Sequence, residues 1–179
     1  MQTRFKLAFL VAIVGVAAFG GTALATSTQD ELAEVRAATA QFHRLDAAID
    51  AGYTLGYVTG HVPPKPPIIT GCIAHPTLGA MGYHYFNKAL IDDLVIDPLK
   101  PEGLVYAPGA DGGLKLVAVE YVVPGPASNP SGPAEAPTVF GQGMHILVPA
   151  VGFHTLHAWI WTTNPAGMFA HWNPEVTCP

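Results

Sequence analysis

Leu104-Val105-Tyr106-Ala107-Pro108-Gly109-Ala110-Asp111-Gly112-Gly113, followed by Leu114-Lys115-Leu116-Val117-Ala118-Val119-Glu120-Tyr121-Val122-Val123, decides the fold. Two runs rich in β-branched and aromatic residues flank a cluster of Gly and Asp. Gly and Asp tolerate the positive φ angles that a tight reversal needs, so the stretch reads as an antiparallel hairpin. Gly143 to Val148 and Phe153 to Trp161 supply two more strands, joined through Pro149-Ala150-Val151-Gly152. The expected result is an antiparallel sheet, curled or closed as a small β-barrel. Pro124 to Pro137, rich in Pro, Gly, Ser and Ala, reads as a long surface loop of the kind that serves as a lid.

Upstream, the periodicity is helical. Leu32, Val35, Ala38, Phe42, Leu45 and Ile49 recur at three- and four-residue intervals, and Gly52 offers a stop. Thr28-Gln29-Asp30-Glu31 reads as a capping box, with Thr28 as the cap and Glu31 reaching back to it. His43 falls beside the apolar stripe and reads as solvated. Val62-Pro63-Pro64-Lys65-Pro66-Pro67 cannot be helix or central strand and reads as an extended connection. The fold class that follows is α+β, with an N-terminal amphipathic helix packed on the curled sheet.

The first residues carry Arg4 and Lys6, an apolar run from Leu7 to Phe19, and Ala23-Leu24-Ala25. That succession is read as a signal peptide over 1–25. The apolar run is shorter than the roughly 20 residues a bilayer-spanning helix needs, so no stable membrane anchor is expected after cleavage. Residues 26–179 then form one mature domain, secreted or extracytoplasmic. Cleavage removes two of the eight basic side chains and none of the thirteen acidic ones, leaving a net charge of −7. Such a balance argues against nucleic acid as a partner. Cys72 and Cys178 are the two cysteines of the chain, and in an oxidising compartment they are expected to pair.

Glu120 is the residue that points to chemistry. Along a regular strand Leu114, Leu116, Ala118, Glu120 and Val122 would share one face, apolar except for the carboxylate. An isolated buried charge is too costly, so Glu120 needs a partner, a proton or a metal. Three of the eight histidines lie in apolar segments: His84 in Gly79 to Asn87, His145 in Gly143 to Leu147, and His157 on the last strand. On that strand Phe153, Thr155, His157, Trp159 and Trp161 would share a face, with His154 on the other. His84, Glu120, His145 and His157 are therefore the candidate ligands of one transition metal ion: Fe, Mn, Zn or Cu. Tyr85 and Tyr121 are candidate proton donors beside it. His61, His75 and His171 adjoin loop residues and stand outside the candidate set.

Three histidines and a glutamate in a β-barrel also describe cupins, but the His-x-His element is missing here, so only the geometry is comparable. HExxH, Gly-x-Ser-x-Gly, P-loop and haem-attachment motifs are absent. Gly79-Ala80-Met81-Gly82-Tyr83-His84-Tyr85-Phe86-Asn87 and Asn164-Pro165-Ala166-Gly167-Met168-Phe169-Ala170-His171-Trp172-Asn173-Pro174 resemble an uncharacterised family of small exported bacterial proteins. The resemblance implies export and brings no activity with it. Two other readings stand beside the metal site. One is a metal-free carrier whose Trp159, Trp161 and Phe153 line a pocket for a small-molecule ligand. The other is a structural protein of the envelope.

Overall fold

The computed structural model describes residues 27–56, 70–146 and 152–179. The expected signal peptide and proline-rich connection lie outside these residues, as do His61 and residues 147–151, which include the end of the strand expected from Gly143 to Val148. The described chain opens with α1 (Thr28–Thr39), a 3-10 turn (Ala40–His43) and α2 (Leu45–Asp50). The cap falls one residue before the expected one. The Ser27 hydroxyl accepts from the Asp30 N–H at 3.2 Å, and Asp30 reaches back to the Ser27 N–H, which forms the capping box. The helix is also broken, because Arg44 adopts an extended backbone that resets the helical phase. Ala48 is buried as a result, while Ile49, expected in the apolar stripe, is 52% exposed. Gly52 follows α2 at φ +95°, a left-handed conformation that ends a helix.

The strands are β1 (Tyr53–Leu55), β2 (Ile73–His75), β3 (Gly79–Asn87), β4 (Gly103–Pro108), β5 (Leu114–Pro124), β6 (Thr138–Val139), β7 (Gln142–Gly143), β8 (His145–Ile146) and β9 (Phe153–Ala158). Between β3 and β4 lies α3 (Lys88–Asp92), capped by the Asn87 side chain. Seven strands form an antiparallel sheet in the order β1-β3-β4-β5-β9-β8, with β2 alongside β3, and β6 and β7 make a separate hairpin. The class is thus α+β. A closed barrel is not formed: β1 and β2 end one side, β8 ends the other, and these edges do not pair among the described residues. Edge strands of two or three residues offer too short a ladder for closure.

The hairpin is present where the Gly and Asp cluster places it, with the Gly109 N–H donating to Gly113 O at 2.7 Å and Gly112 at φ +80°. The alternation along β5, however, is interrupted. Val105 pairs with Ala118 but Tyr106 pairs with Leu116, so Val117 is an extra residue on β5. This bulge reverses the faces on either side of it. Leu116 accordingly packs with Val119, Tyr121 and Val123, and does not share the face of Ala118 and Glu120.

Both faces of the sheet are covered. On one, Leu32, Val35 and Phe42 from the helical segment pack on Leu104, Tyr106, Leu116 and Leu156. On the other, Val105, Ala107 and Ala118 meet Trp159 and Val176 from the chain after β9. That C-terminal segment lies as a strap. Asn173 exchanges two backbone hydrogen bonds with Ala80, and Cys178 is disulfide-bonded to Cys72 across a Cα separation of 5.6 Å. Gly79 is required beneath it, because a Cβ there would stand 2.1 Å from Asn173 O. Among the described residues, no helix is long and apolar enough to cross a membrane.

Candidate metal centre

Glu120 lies mid-sheet, paired with Gly103 on β4 and His157 on β9, while His84 on β3 pairs with Val105 in the next row. Paired residues project to the same side, and alternate rows share that side. All three side chains therefore face the strap. They are 4% (His84), 3% (Glu120) and 0% (His157) exposed. Gly103 makes the space: a Cβ on it would meet the Phe86 ring at 2.7 Å and Glu120 Cβ at 3.1 Å.

The three side chains converge through one atom each. His84 Nε2 is 3.2 Å from His157 Nε2, Glu120 Oε2 is 3.4 Å from His84 Nε2, and the third side of the triangle, His157 to Glu120, is 3.8 Å. The point equidistant from all three corners of that triangle is about 2.0 Å from each, which is the length of a Zn–N or Zn–O bond. The imidazole rings are held at this angle by neighbours, Phe86 stacking on His84 at 5.8 Å and Trp159 on His157 at 6.2 Å. Trp159 is itself anchored by its indole N–H, which donates to Ala170 O at 2.6 Å.

Electrostatically, burial disfavours charge on each of the three groups. Burial, reinforced by the nearby Glu102 carboxyl, pushes Glu120 up to about 8. Burial lowers His84 to about 4, against the opposing pull of the Gly82 backbone. His157 is driven well below its ordinary value by burial, then by His84 and His171. In the metal-free centre burial thus favours neutral imidazoles and a protonated carboxyl. Among the described residues, Oε2 of Glu120 makes no hydrogen bond. Buried polar atoms are seldom left in that state. A divalent ion would displace the protons and give the lone pairs of the three facing atoms a partner.

Three of the four expected ligands are brought together, and His145 is not among them. β8 registers His145 against Thr155, which puts it on the same face as His157 but one row away, exposed at the sheet edge. Its ring lies 5.2 Å from that of His171, and the His171 ring lies 6.1 Å from that of His157. His171 had no strand periodicity to mark it, since it reaches the centre on the irregular strap. Burial, then the neighbouring His145, lowers its imidazole, and its buried Nδ1 has no hydrogen-bond partner among the described residues.

Tyr85 and Tyr121 cannot donate protons to this centre. Each adjoins a ligand in sequence, so each points to the opposite face. Tyr121 donates its hydroxyl to Pro98 O at 2.8 Å, and Tyr85 packs edge-on to Tyr106 among the helix-side core. Trp161 also leaves the expected face, because β9 ends at Ala158. Its ring meets His43 at 4.2 Å and its indole N–H donates to Thr39 at 3.3 Å. Trp159 and Trp161 do line an open recess with Arg36, Asn164 and Met168, but Phe153 and the histidines take no part in it. The loop after β5 is pinned: Gly125 N–H donates to Gly152 O at 2.7 Å, and His154 Nε2 is 3.2 Å from Pro133 O.

Glu102, which no periodicity marks, is buried in the connection before β4. Its Oε2 accepts the Val122 N–H at 2.9 Å, which satisfies a β5 donor beyond the start of β4. Burial pushes its carboxyl up to about 8, against that backbone hydrogen bond. Compared with protein families, with curated proteins and with solved structures, the chain matches none.

Proposed function

We propose that this chain is an exported metalloprotein that holds one divalent transition-metal ion, Fe, Mn, Zn or Cu, through His84, Glu120 and His157. The observation that carries the reading is the convergence of two Nε2 atoms and one carboxylate oxygen at 3.2–3.8 Å from one another in a buried interior. Structural reasons for burying a carboxyl beside two imidazoles are weak, because such a group costs stability unless fully paired. Two histidines and one carboxylate are a ligand set of zinc hydrolases and of non-haem iron oxygenases, and three protein ligands leave coordination positions open. A metal so held would supply Lewis acidity toward water, dioxygen or a small organic acid. Export is supported by the N-terminal succession, by the resemblance to small exported proteins and by the Cys72–Cys178 disulfide, which suits an oxidising compartment.

Elemental analysis of protein prepared without a histidine tag tests the metal directly. One ion per chain is expected, lost in His84→Ala, Glu120→Ala and His157→Ala and retained in His43→Ala. Thermal midpoints with and without a chelator separate lost coordination from lost folding. A wild-type protein with no stoichiometric metal and no chelator response overturns the reading. The recess lined by Arg36, Trp159, Trp161, Asn164 and Met168 favours the second reading, a metal-free carrier. Native mass spectrometry of protein from its own host would reveal a retained organic ligand in that case.

A further inference from the structure

A centre whose ligands are 0–4% exposed poses a question of access, since an ion has to shed its water and cross packed side chains to reach it. One line of side chains leads out. From the buried end it runs His84, His157, His171, His145, with successive ring centroids 5.4, 6.1 and 5.2 Å apart. Exposure rises along it: His157 is fully buried, His171 is half-buried on the strap, and His145 is exposed on β8. Packing alone explains such a row poorly. Nδ1 of both His157 and His171 is buried without a hydrogen bond among the described residues, whereas other polar side chains of the strap, Asn164 and Asn173, have partners. Imidazole is also the side chain that binds a transition ion as a neutral ligand, so it can take an ion and pass it on without a buried charge of its own.

We propose that His145 and His171 form the loading route of the metal centre, taking up a divalent ion at the surface and passing it to His157. The inference rests on the metal-centre reading and adds a role for two histidines that are not ligands of the resting centre. It also gives the strap a function beyond covering the sheet: His171 is held over His157 because the disulfide and the Ala80–Asn173 backbone pair fix the segment that carries it.

The test follows Co²⁺ uptake by the chelator-stripped full chain in a stopped-flow spectrometer, using the visible absorbance of the bound ion. His145→Gln, His171→Gln and the double variant are compared with wild type, and His75→Gln serves as a control. His75 packs its ring against Trp172 on the same strap but lies off the row. One Co²⁺ per chain is expected in every case. Loss of an intermediate ligand raises the barrier, so uptake should slow roughly tenfold or more in His171→Gln and less in His145→Gln. His75→Gln should load at the wild-type rate. Equal rates throughout overturn the route and leave the centre standing. So does a slowing shared by His75→Gln, which assigns the effect to strap packing. Loss of equilibrium binding in His171→Gln makes it a ligand of the centre and overturns its role in transit. Wild-type protein that binds no Co²⁺ overturns the metal reading, and the route with it.

Discussion

The two faces of the sheet are built from similar strands and treat their polar groups differently. On the helix-covered face each of three buried tyrosine hydroxyls donates to a backbone carbonyl: Tyr53 to Pro101, Tyr106 to Phe42 and Tyr121 to Pro98. Those bonds stitch the helical segment and the connection before β4 onto the sheet. Glu102 belongs to the same pattern through Val122, with its second oxygen unpartnered among the described residues. On the strap-covered face His84, Glu120 and His157 gather around one point and face one another. The contrast separates a face where buried hydroxyls are satisfied by backbone carbonyls from one where a carboxyl and two imidazoles face one another.

The largest expected effect tests what holds the strap. The disulfide closes a loop across a sequence separation of 106 residues, so Cys72→Ser with Cys178→Ser should lower unfolding free energy by about 2–5 kcal/mol in urea titration. If the strap also shields the centre, the same variant should release its metal faster. A loss of less than about 1 kcal/mol would mean that the strap holds by packing alone.

Metal content provides the next largest difference between the faces. An ion present at 100 times its dissociation constant stabilises the folded chain by about 2.7 kcal/mol. Differential scanning fluorimetry should therefore show a rise in Tm on metal addition to stripped wild type, absent in Glu120→Ala and retained in Tyr106→Phe. A rise that survives Glu120→Ala would move the metal elsewhere on the molecule.

The pH dependence of the stripped protein sharpens the contrast further. Carboxyls raised from 4.5 to about 8 stay protonated in the folded chain while ionising in the unfolded one. The folded state then binds more protons, so stability falls as pH rises from about 4.5 to about 8. His84, lowered from 6.5 to about 4, acts oppositely: its contribution is lost as pH falls below about 6.5. Between pH 6.5 and 8 the carboxyls act without it. The metal-free Tm should decline across that window, less steeply in Glu120→Gln and less steeply in the metal-loaded protein, where Glu120 is already ionised. A flat metal-free profile would mean that Glu120 and Glu102 have other partners.

The smallest effect is expected on the helix side. Tyr106→Phe removes one hydroxyl and leaves Phe42 O unpaired, at a cost of about 1–3 kcal/mol, with metal content unchanged. Loss of metal in this variant would show the two faces to be coupled.

Part of this arrangement is legible in the sequence. The Gly and Asp cluster between two β-rich runs marks the β4–β5 hairpin because only small or turn-forming residues bear those φ angles. Two-residue alternation placed Glu120 and His157 on apolar faces, and both lie in the centre. The bulge at Val117 was not legible, since a single extra residue leaves composition and hydropathy unchanged while reversing every side chain beyond it. The break at Arg44 shifted the helical stripe for a related reason: a local φ/ψ change alters phase without altering the residues.

What the amino-acid order determined by itself is local: where the chain turns, which segments are strand or helix, which two cysteines can pair, and that a carboxylate and several imidazoles sit in apolar surroundings. Periodicity and backbone sterics act over a few residues and can be read there. Tertiary structure decided the rest. Cross-strand register set Glu120 between Gly103 and His157 and left His145 one row away, and the disulfide-tied strap brought His171 over His157 from the far end of the chain. Those distances depend on which strand edges meet and in what alignment, a choice made by the burial of both sheet faces together.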